Sequence, residues 1–240
     1  MAEIRLFVDG PLAAEKVLPL TAGQSNYLFG VMRRKTGDTV QVFDGQHGEW
    51  QAEVAKANKR NGLLVCKAQS APQINPPDLW VLFAPVKKAR TAFIVEKAVE
   101  MGVSEVQPVL TRFTNEKINT DRMQAHSIEA AEQCGATFVP KLNAPEKLAD
   151  MLAHWPDDRQ LMFCDEERMA LPVVKALAGA STGPWAIIIG PEGGFAPEEV
   201  AALRALPQTV SVTLGPRILR ADTAVVAAIG AWQQVLGDWA

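Results

Sequence analysis

Several residue types that carry common enzyme chemistry are scarce in this sequence of 240 residues. It contains three cysteines and three histidines, all widely separated. An odd number of dispersed cysteines is typical of reduced thiols rather than of a disulfide framework, which favours a cytoplasmic protein. The scattered histidines lack the spacing of metal ligands, so we expect no zinc or other metal site.

Long apolar runs and phosphate-binding motifs are also missing. No hydrophobic stretch approaches the length of a membrane span, and the first residues lack the apolar core of a signal peptide. We therefore expect no membrane association. Neither a G-x-G-x-x-G fingerprint nor a Gly-Lys-Ser/Thr P-loop is present, which disfavours an unrelated nucleotide-dependent α/β enzyme.

Charge of either sign is not in large excess. The net charge of −3 and the pI near 5.7 argue against a strongly basic nucleic-acid binder, but the positive residues are clustered. A solvated face would explain each cluster separately, whereas a phosphate-bearing partner would explain them together. The candidates for phosphate contacts are Arg33, Arg34, Lys87, Lys88, Arg90 and Arg112.

The first part of the chain is typical of a small β-barrel. Short apolar or alternating segments lie at residues 4–8, 39–43, 49–55 and 63–66, and Asn61-Gly62 is a strong hairpin signal. Thr21 and Gln24 match a capping box at the start of a helix. Three prolines then interrupt the pattern, which predicts a barrel domain over residues 1–71, a linker over 72–77 and a second domain over 78–240.

In the second domain, apolar strands alternate with helical patterns, which predicts a mainly parallel sheet covered by helices. The last two strands, residues 186–189 and 210–213, are expected to be fully buried and to lie side by side. Each is followed by a glycine-containing loop and a helix. We expect Pro197 to open the first of these helices and Asp222 to N-cap the second.

The two glycine loops, residues 190–195 and 214–220, are the candidate ligand site. Loops at the carboxyl ends of parallel strands form the ligand-binding edge of an α/β sheet. The first loop places Pro191 and Glu192 between glycines, which suits a neutral or cationic ligand better than a pyrophosphate. Tight turns that need positive φ are the alternative explanation of these glycines.

The loops and the residues around them resemble the paired signature of the 16S (small-subunit) ribosomal RNA uracil-N3 methyltransferases, within the SPOUT superfamily. Five stretches carry the resemblance in order along nearly the whole chain, and the two C-terminal ones are specific in combination. They are residues 37–39 with 44–45, 97–103, 129–134, 189–195 and 214–224.

This resemblance implies a fold, a cofactor and a partner. The fold is an N-terminal PUA-like RNA-binding barrel followed by a SPOUT domain, an α/β domain with a trefoil-knotted, mainly parallel sheet. The chain would act as a homodimer that methylates N3 of a uridine in ribosomal RNA with S-adenosylmethionine. Two departures are Asp222, where glutamate is usual, and Ala136, where arginine is usual. Gln24 and Tyr27 stand where histidines are common.

The resemblance also assigns site residues. The cofactor would lie among three loops whose residues here are Cys164, Asp165, Glu166, Ile189, Gly190, Pro191, Glu192, Gly193, Gly194, Leu214, Gly215, Arg217, Ile218 and Leu219. Glu192 is a candidate for offsetting the sulfonium charge.

Methylation at N3 requires loss of a proton, so the developing charge on the base needs stabilisation. Arg220 is the candidate for this role, and Arg5 is a second catalytic candidate whose alternative is an ordinary surface arginine. No residue is indicated as a general base. There are two competing hypotheses. The protein could be a related SPOUT enzyme that modifies a ribose 2′-hydroxyl or another base, or it could be a non-catalytic RNA-binding assembly protein.

Overall fold

The computed structural model describes residues 4–165 and 170–240. The chain divides into two units. The first comprises the residues through Asn75 together with Ala131–Val139, and the second comprises Pro76–Ala130 and Pro140–Ala240. The sequence-based domain boundaries stay a prediction, and they do not anticipate that residues 131–139 group with the first unit.

The first unit is built on a five-stranded sheet in the order β1-β3-β4-β5-β2. Its strands are β1 (Arg5–Phe7), β2 (Val17–Pro19), β3 (Thr39–Phe43), β4 (Glu49–Lys56) and β5 (Leu63–Ala71). β1 pairs with β3 in parallel, and the other neighbours are antiparallel. Alternate residues such as Val40, Val42 and Leu64 are fully buried in one hydrophobic core. β2 is the strand that the sequence did not predict.

The helix of the first unit begins where the capping box predicts. Thr21 Oγ1 accepts a hydrogen bond from Gln24 N, and the Gln24 side chain accepts one from Thr21 N. The helix α1 (Ala22–Asn26) continues into a π-helical turn, Tyr27–Val31, that buries Leu28 and Phe29.

The second unit alternates strands and helices. Its strands are β6 (Leu79–Phe83), β7 (Glu105–Leu110), β8 (Lys141–Leu142), β9 (Glu146–Lys147), β10 (Gln160–Cys164), β11 (Leu171–Pro172), β12 (Trp185–Ile189) and β13 (Thr209–Thr213). Its helices are α2 (Lys88–Glu100), α3 (Thr120–Cys134, whose last turn belongs to the first unit), α4 (Leu148–Ala153), α5 (Val173–Leu177), α6 (Pro197–Ala205) and α7 (Ala221–Leu236).

These strands form a parallel sheet in the order β11-β13-β10-β12-β6-β7-β8, with β9 paired to β7. Side chains alternate between its two faces because the period of a strand is two. Val81 and Ile187 therefore join one core, which α2 and α7 also line, whereas Leu82 and Ile188 join a second core with Leu203 of α6. The predicted fold class, an α/β domain with a mainly parallel sheet and helices on it, is confirmed.

Three details differ from the sequence-based predictions. β12 and β13 do not lie side by side, because β10 runs between them. β12 is fully buried as predicted, but in β13 only Val212 is buried, since the short strand β11 is its outer neighbour. The helical pattern over residues 145–154 predicts a helix that starts at Pro145, but α4 begins at Leu148 because residues 146 and 147 pair with β7.

The starts of the last two helices follow different rules. Pro197 is the first residue of α6 as predicted, and Glu199 Oε2 accepts a hydrogen bond from Ala196 N at 2.8 Å. The N-cap of α7 is Arg220, without a side-chain cap, so the prediction for Asp222 was wrong. Asp222 lies in the first turn instead, where a carboxylate still favours the positive end of the helix dipole.

Among the helices of the described residues, none has the length and apolarity needed to cross a membrane.

Candidate functional site

Three loops of the second unit meet at the carboxyl edge of the sheet and enclose a cavity of about 190 Å³. They follow β10, β12 and β13, which are neighbours in the sheet. The cavity is lined by Cys164, Asp165, Ile189, Gly190, Pro191, Glu192, Thr213, Leu214, Gly215, Arg217, Ile218, Leu219, Arg220, Ala221 and Ala224.

Most of the residues predicted for the cofactor site therefore lie together. Gly193 and Gly194 are the two described exceptions, and Glu166 lies outside the described residues. Sequence reasoning missed Thr213, Ala221 and Ala224 as lining residues. The last two are three residues apart on one face of α7, and this helical spacing was the available signal.

The first loop turns tightly after β12. Gly194 N donates to Pro191 O at 2.9 Å, and Gly194 adopts a φ of +71°, which favours glycine. Gly190 has a different reason to lack a side chain. A Cβ built there would lie 2.8 Å from Cε2 of Phe195, which packs edge-on against Phe163 of β10. Gly193 is exposed beside Phe113.

The second loop depends on Gly215, whose φ is +115°. The hydroxyl of Thr213 lies 3.3 Å from both the backbone N and the carbonyl O of Gly215, and so closes the turn. Leu214 and Leu219 are partly buried against the core, whereas the side chain of Ile218 is 78% exposed. The turn thus faces two apolar side chains inwards and one outwards.

The carboxylate of Asp165 is buried at the end of β10. Its Oδ2 accepts hydrogen bonds from Nε and Nη2 of Arg204, on α6, at 3.1 and 2.5 Å. Its backbone N donates to Val212 O on the neighbouring strand. Asp165 therefore fixes the third loop of the cavity to α6 and to β13.

The guanidinium of Arg90 lies between two carboxylates of the site. Its Nη1 is 3.2 Å from Oε1 of Glu192, and its Nε is 3.7 Å from Oδ2 of Asp222. Arg90 was predicted to contact RNA phosphate. The structure shows it ion-paired beside the cavity, and the phosphate contact stays a prediction.

Arg220 lies at the junction of the second loop and α7. It lines the cavity and is exposed, and among the described residues its guanidinium has no hydrogen-bond or ion-pair partner. Its backbone carbonyl accepts a hydrogen bond from Ala224 N at 2.8 Å, which fixes its main chain as part of the helix start. Its charged side chain is therefore available to a ligand in the cavity.

Arg5, the second catalytic candidate, lies on β1 in the first unit and is not a lining residue of the cavity. Its Nε pairs with Glu49 Oε2, its Nη groups donate to the carbonyl oxygens of Ala131, Glu132 and Ala136, and its guanidinium lies over the ring of Phe43. These contacts attach residues 131–136 to the sheet of the first unit. Arg5 is therefore not an ordinary surface arginine, and its catalytic role stays a prediction.

The other basic candidates divide between the units. Arg33 is exposed and Arg34 is partly buried in the first unit. Lys87 and Lys88 are exposed at the start of α2, and Arg112 is exposed in the loop after β7. The backbone N of Arg112 donates to Glu199 Oε1 at 2.7 Å, so this loop is fixed to α6 while its guanidinium stays outside.

The thiol of Cys164 is neutral at physiological pH. Burial raises its pKa to about 12, and burial also raises the pKa of the Cys66 thiol. Because a thiolate is the nucleophilic form, Cys164 contributes an apolar wall to the cavity rather than a nucleophile. Within residues 4–165 and 170–240, no group of three or more histidine, cysteine or acidic side chains could hold a metal ion.

We expect Gly215→Ala to lower the free energy of unfolding by about 1–2 kcal/mol, because a Cβ is unfavourable in the left-handed region. Gly183→Ala is the matched control. A Cβ would meet no atom within 4 Å at either glycine, but only Gly215 has a positive φ. Urea unfolding of both variants measures the difference. Equal free energies for the two variants would contradict the conformational explanation.

We expect iodoacetamide to modify Cys134, which is exposed, well before Cys164 near neutral pH. The pKa of about 12 leaves almost no Cys164 thiolate below strongly alkaline pH. Mass spectrometry of the alkylated peptides over time measures both rates. Modification of the two cysteines at similar rates would show that the Cys164 thiol is not protected by burial.

Comparison with known proteins adds family evidence to this geometry. Residues 73–233 match the family described as an RNA methyltransferase domain, and residues 20–65 match the family described as an RNA methyltransferase PUA domain. The ribosomal RNA small subunit methyltransferase E of Rickettsia conorii is 27% identical over 228 residues, covering 94% of this chain and 93% of that protein. The protein of the same name from Synechocystis is 29% identical over 230 residues, covering 94% of this chain and 75% of that protein.

A solved structure shows the same fold. The crystal structure of a ribosomal RNA small subunit methyltransferase E from Neisseria gonorrhoeae, bound to S-adenosyl methionine, has a TM-score of 0.88 at 23% identity and covers 100% of both chains. This similarity supports the expected SPOUT-type fold with a PUA-like first domain, while the knot itself stays a prediction. Because the first family match spans more than half of the sequence, this chain belongs to the RNA methyltransferase family.

Proposed function

We propose that this protein transfers the methyl group of S-adenosylmethionine to N3 of a uridine in 16S ribosomal RNA. The observation that carries the proposal is the cavity formed by the loops after β10, β12 and β13, with the unpaired Arg220 at its edge. The family match and the names of the relatives support the reaction class and the RNA.

The lining of the cavity fits S-adenosylmethionine. Ile189, Leu214 and Leu219 offer an apolar enclosure for the adenine, and the loop backbones offer N–H and C=O groups for hydrogen bonds. Glu192 places a carboxylate at the cavity, which suits a cationic ligand. The bound cofactor would supply an electrophilic methyl group on a positively charged sulfur.

Arg220 is proposed to stabilise negative charge on the uracil. N3 of uridine carries a proton at neutral pH, and the base becomes anionic as that proton leaves. A guanidinium held at the cavity edge favours the anionic form and therefore lowers the barrier. Glu192 and Asp222 do not compete for this group, because both carboxylates pair with Arg90. Orientation of the base in line with the methyl group supplies the remaining acceleration.

The first unit and the exposed basic residues are proposed to hold the RNA. N3 lies on the Watson–Crick edge, so the target base has to be unpaired or extruded. Arg33, Arg34, Lys87, Lys88 and Arg112 would contact phosphates, which positions the RNA without reading its sequence. Ribosomal RNA as the substrate is consistent with a cytoplasmic protein.

We also propose that the active form is a homodimer. Leu171, Val174 and Ile218 are 62%, 57% and 78% exposed, and the last of them borders the cavity. A second copy that covers these side chains would remove them from water, and at Ile218 it would complete the rim of the site.

Light scattering is expected to give twice the 26.0 kDa of one chain, because a dimer would bury the exposed side chains of Leu171, Val174 and Ile218. Ile218→Asp should shift the protein towards the monomer by introducing a charge into the interface. Ile74→Asp, which changes an apolar residue that is 65% exposed in the first unit, is the control. A monomeric wild-type protein at all concentrations would refute the dimer.

The reaction is tested with methyl-labelled S-adenosylmethionine and small ribosomal subunits that lack the modification, followed by nucleoside analysis. We expect the label in 3-methyluridine. Arg220→Ala should reduce kcat by about 100-fold or more while cofactor binding is retained, because it removes a charge-stabilising group. Arg122→Ala, which removes an exposed arginine of α3, is the control for loss of charge.

Other outcomes separate the competing functions. Label in a ribose or in another base would retain the methyltransferase reaction and refute the uracil-N3 assignment. Absence of label, with cofactor binding and an active control enzyme, would favour another RNA substrate or a non-catalytic assembly protein.

A further inference from the structure

The position of Arg90 is fixed by the loop that precedes α2. Thr91 Oγ1 donates to Val86 O at 2.7 Å and accepts from Val86 N at 3.1 Å, which closes the chain just before the helix. Thr91 and Val86 are both buried, so this closure is protected from water. Arg90 thus extends from a rigid helix start rather than from a mobile surface loop.

The two carboxylates that Arg90 contacts come from separate parts of the site. Glu192 belongs to the first cofactor loop, and Asp222 lies two residues after Arg220 in the first turn of α7. Different edges of the guanidinium face them, since Nη1 approaches Glu192 and Nε approaches Asp222. A planar guanidinium can hold both at once, whereas an ammonium group is a single point charge.

We propose that Arg90 is a positioning residue that couples the first cofactor loop to the helix start that carries Arg220. It keeps Glu192 and Asp222 at a fixed separation and offsets their mutual repulsion. This inference rests on the proposed function, because it assigns cofactor binding to the cavity. It replaces the prediction that Arg90 contacts RNA phosphate.

The burial of Arg90 favours coupling over a phosphate contact. Its side chain is 27% exposed, whereas Lys87 and Lys88, its neighbours on the same turn, are exposed. An RNA phosphate that reached Arg90 would compete with two carboxylates already in place. Coupling of the two carboxylates and a contact with RNA phosphate therefore predict different effects of Arg90→Ala.

The first experiment measures the Kd of S-adenosylmethionine by calorimetry without RNA. We expect Arg90→Ala to raise the Kd by about three- to tenfold, from the loss of two partly exposed ion pairs. The Kd of Arg90→Lys should lie between those of Arg90→Ala and the wild type. Lysine retains the positive charge but lacks the planar guanidinium that contacts both carboxylates. Arg122→Ala should leave the Kd unchanged.

A second measurement separates positioning from a merely structural role. Loss of coupling raises the KM for S-adenosylmethionine and lowers kcat together, because both Glu192 and Arg220 are displaced. Loss of folded protein alone lowers the active fraction and the Tm and leaves the KM unchanged. In the background of Arg90→Ala, Asp222→Asn should change the Kd less than it does in the wild type, since the pair is already broken.

Several results would overturn the proposal. An unchanged Kd for Arg90→Ala and Arg90→Lys, with a weaker salt dependence of RNA binding, would assign Arg90 to phosphate contacts. Additive effects of Arg90→Ala and Asp222→Asn would exclude coupling between them. If the wild type binds S-adenosylmethionine without labelling uridine N3, the proposed function fails while the Kd measurements still decide the role of Arg90.

Discussion

Parallel pairing of β10 with both β12 and β13 is the constraint on which the site depends. Neighbouring parallel strands end at the same edge of a sheet, so the loops that follow them are brought together. The registers place Phe163 beside Ile188 and Cys164 beside Val212. The central position of β10, buried on both faces, fixes the two glycine loops on either side of it. Neither loop could form this cavity alone.

The charges around the cavity are arranged by the same framework. Asp165 is held by Arg204 of α6, and Glu192 and Asp222 are held by Arg90 of α2. These three acidic side chains are therefore each paired with an arginine. Arg220 is left exposed at the edge. The exposed guanidinium of Arg220 suits an anionic partner at the edge of the cavity.

Much of the fold follows from local patterns. The apolar runs, the capping box at Thr21 and Pro197 at the start of α6 were all predictable, because each depends on residues close in sequence. The short strands β2, β8, β9 and β11 were not predictable, because only pairing with a distant partner makes such segments extended. The N-cap of α7 was misassigned to Asp222 because the helix begins at Ala221, two residues earlier than an N-cap at Asp222 would require.

Local sequence patterns were enough to predict the alternation of strands and helices, the positions of the two glycine loops and the resemblance of their motifs to an RNA methyltransferase family. The strand order, the ion pairs of Arg90 and the contacts of Arg5 could be seen only in the folded chain. An isolated arginine has the same sequence signal whether it meets phosphate, carboxylate or carbonyl oxygen. Its partners come from residues such as Glu192 and Ala131, more than 100 positions away, and the packing of distant elements selects among them.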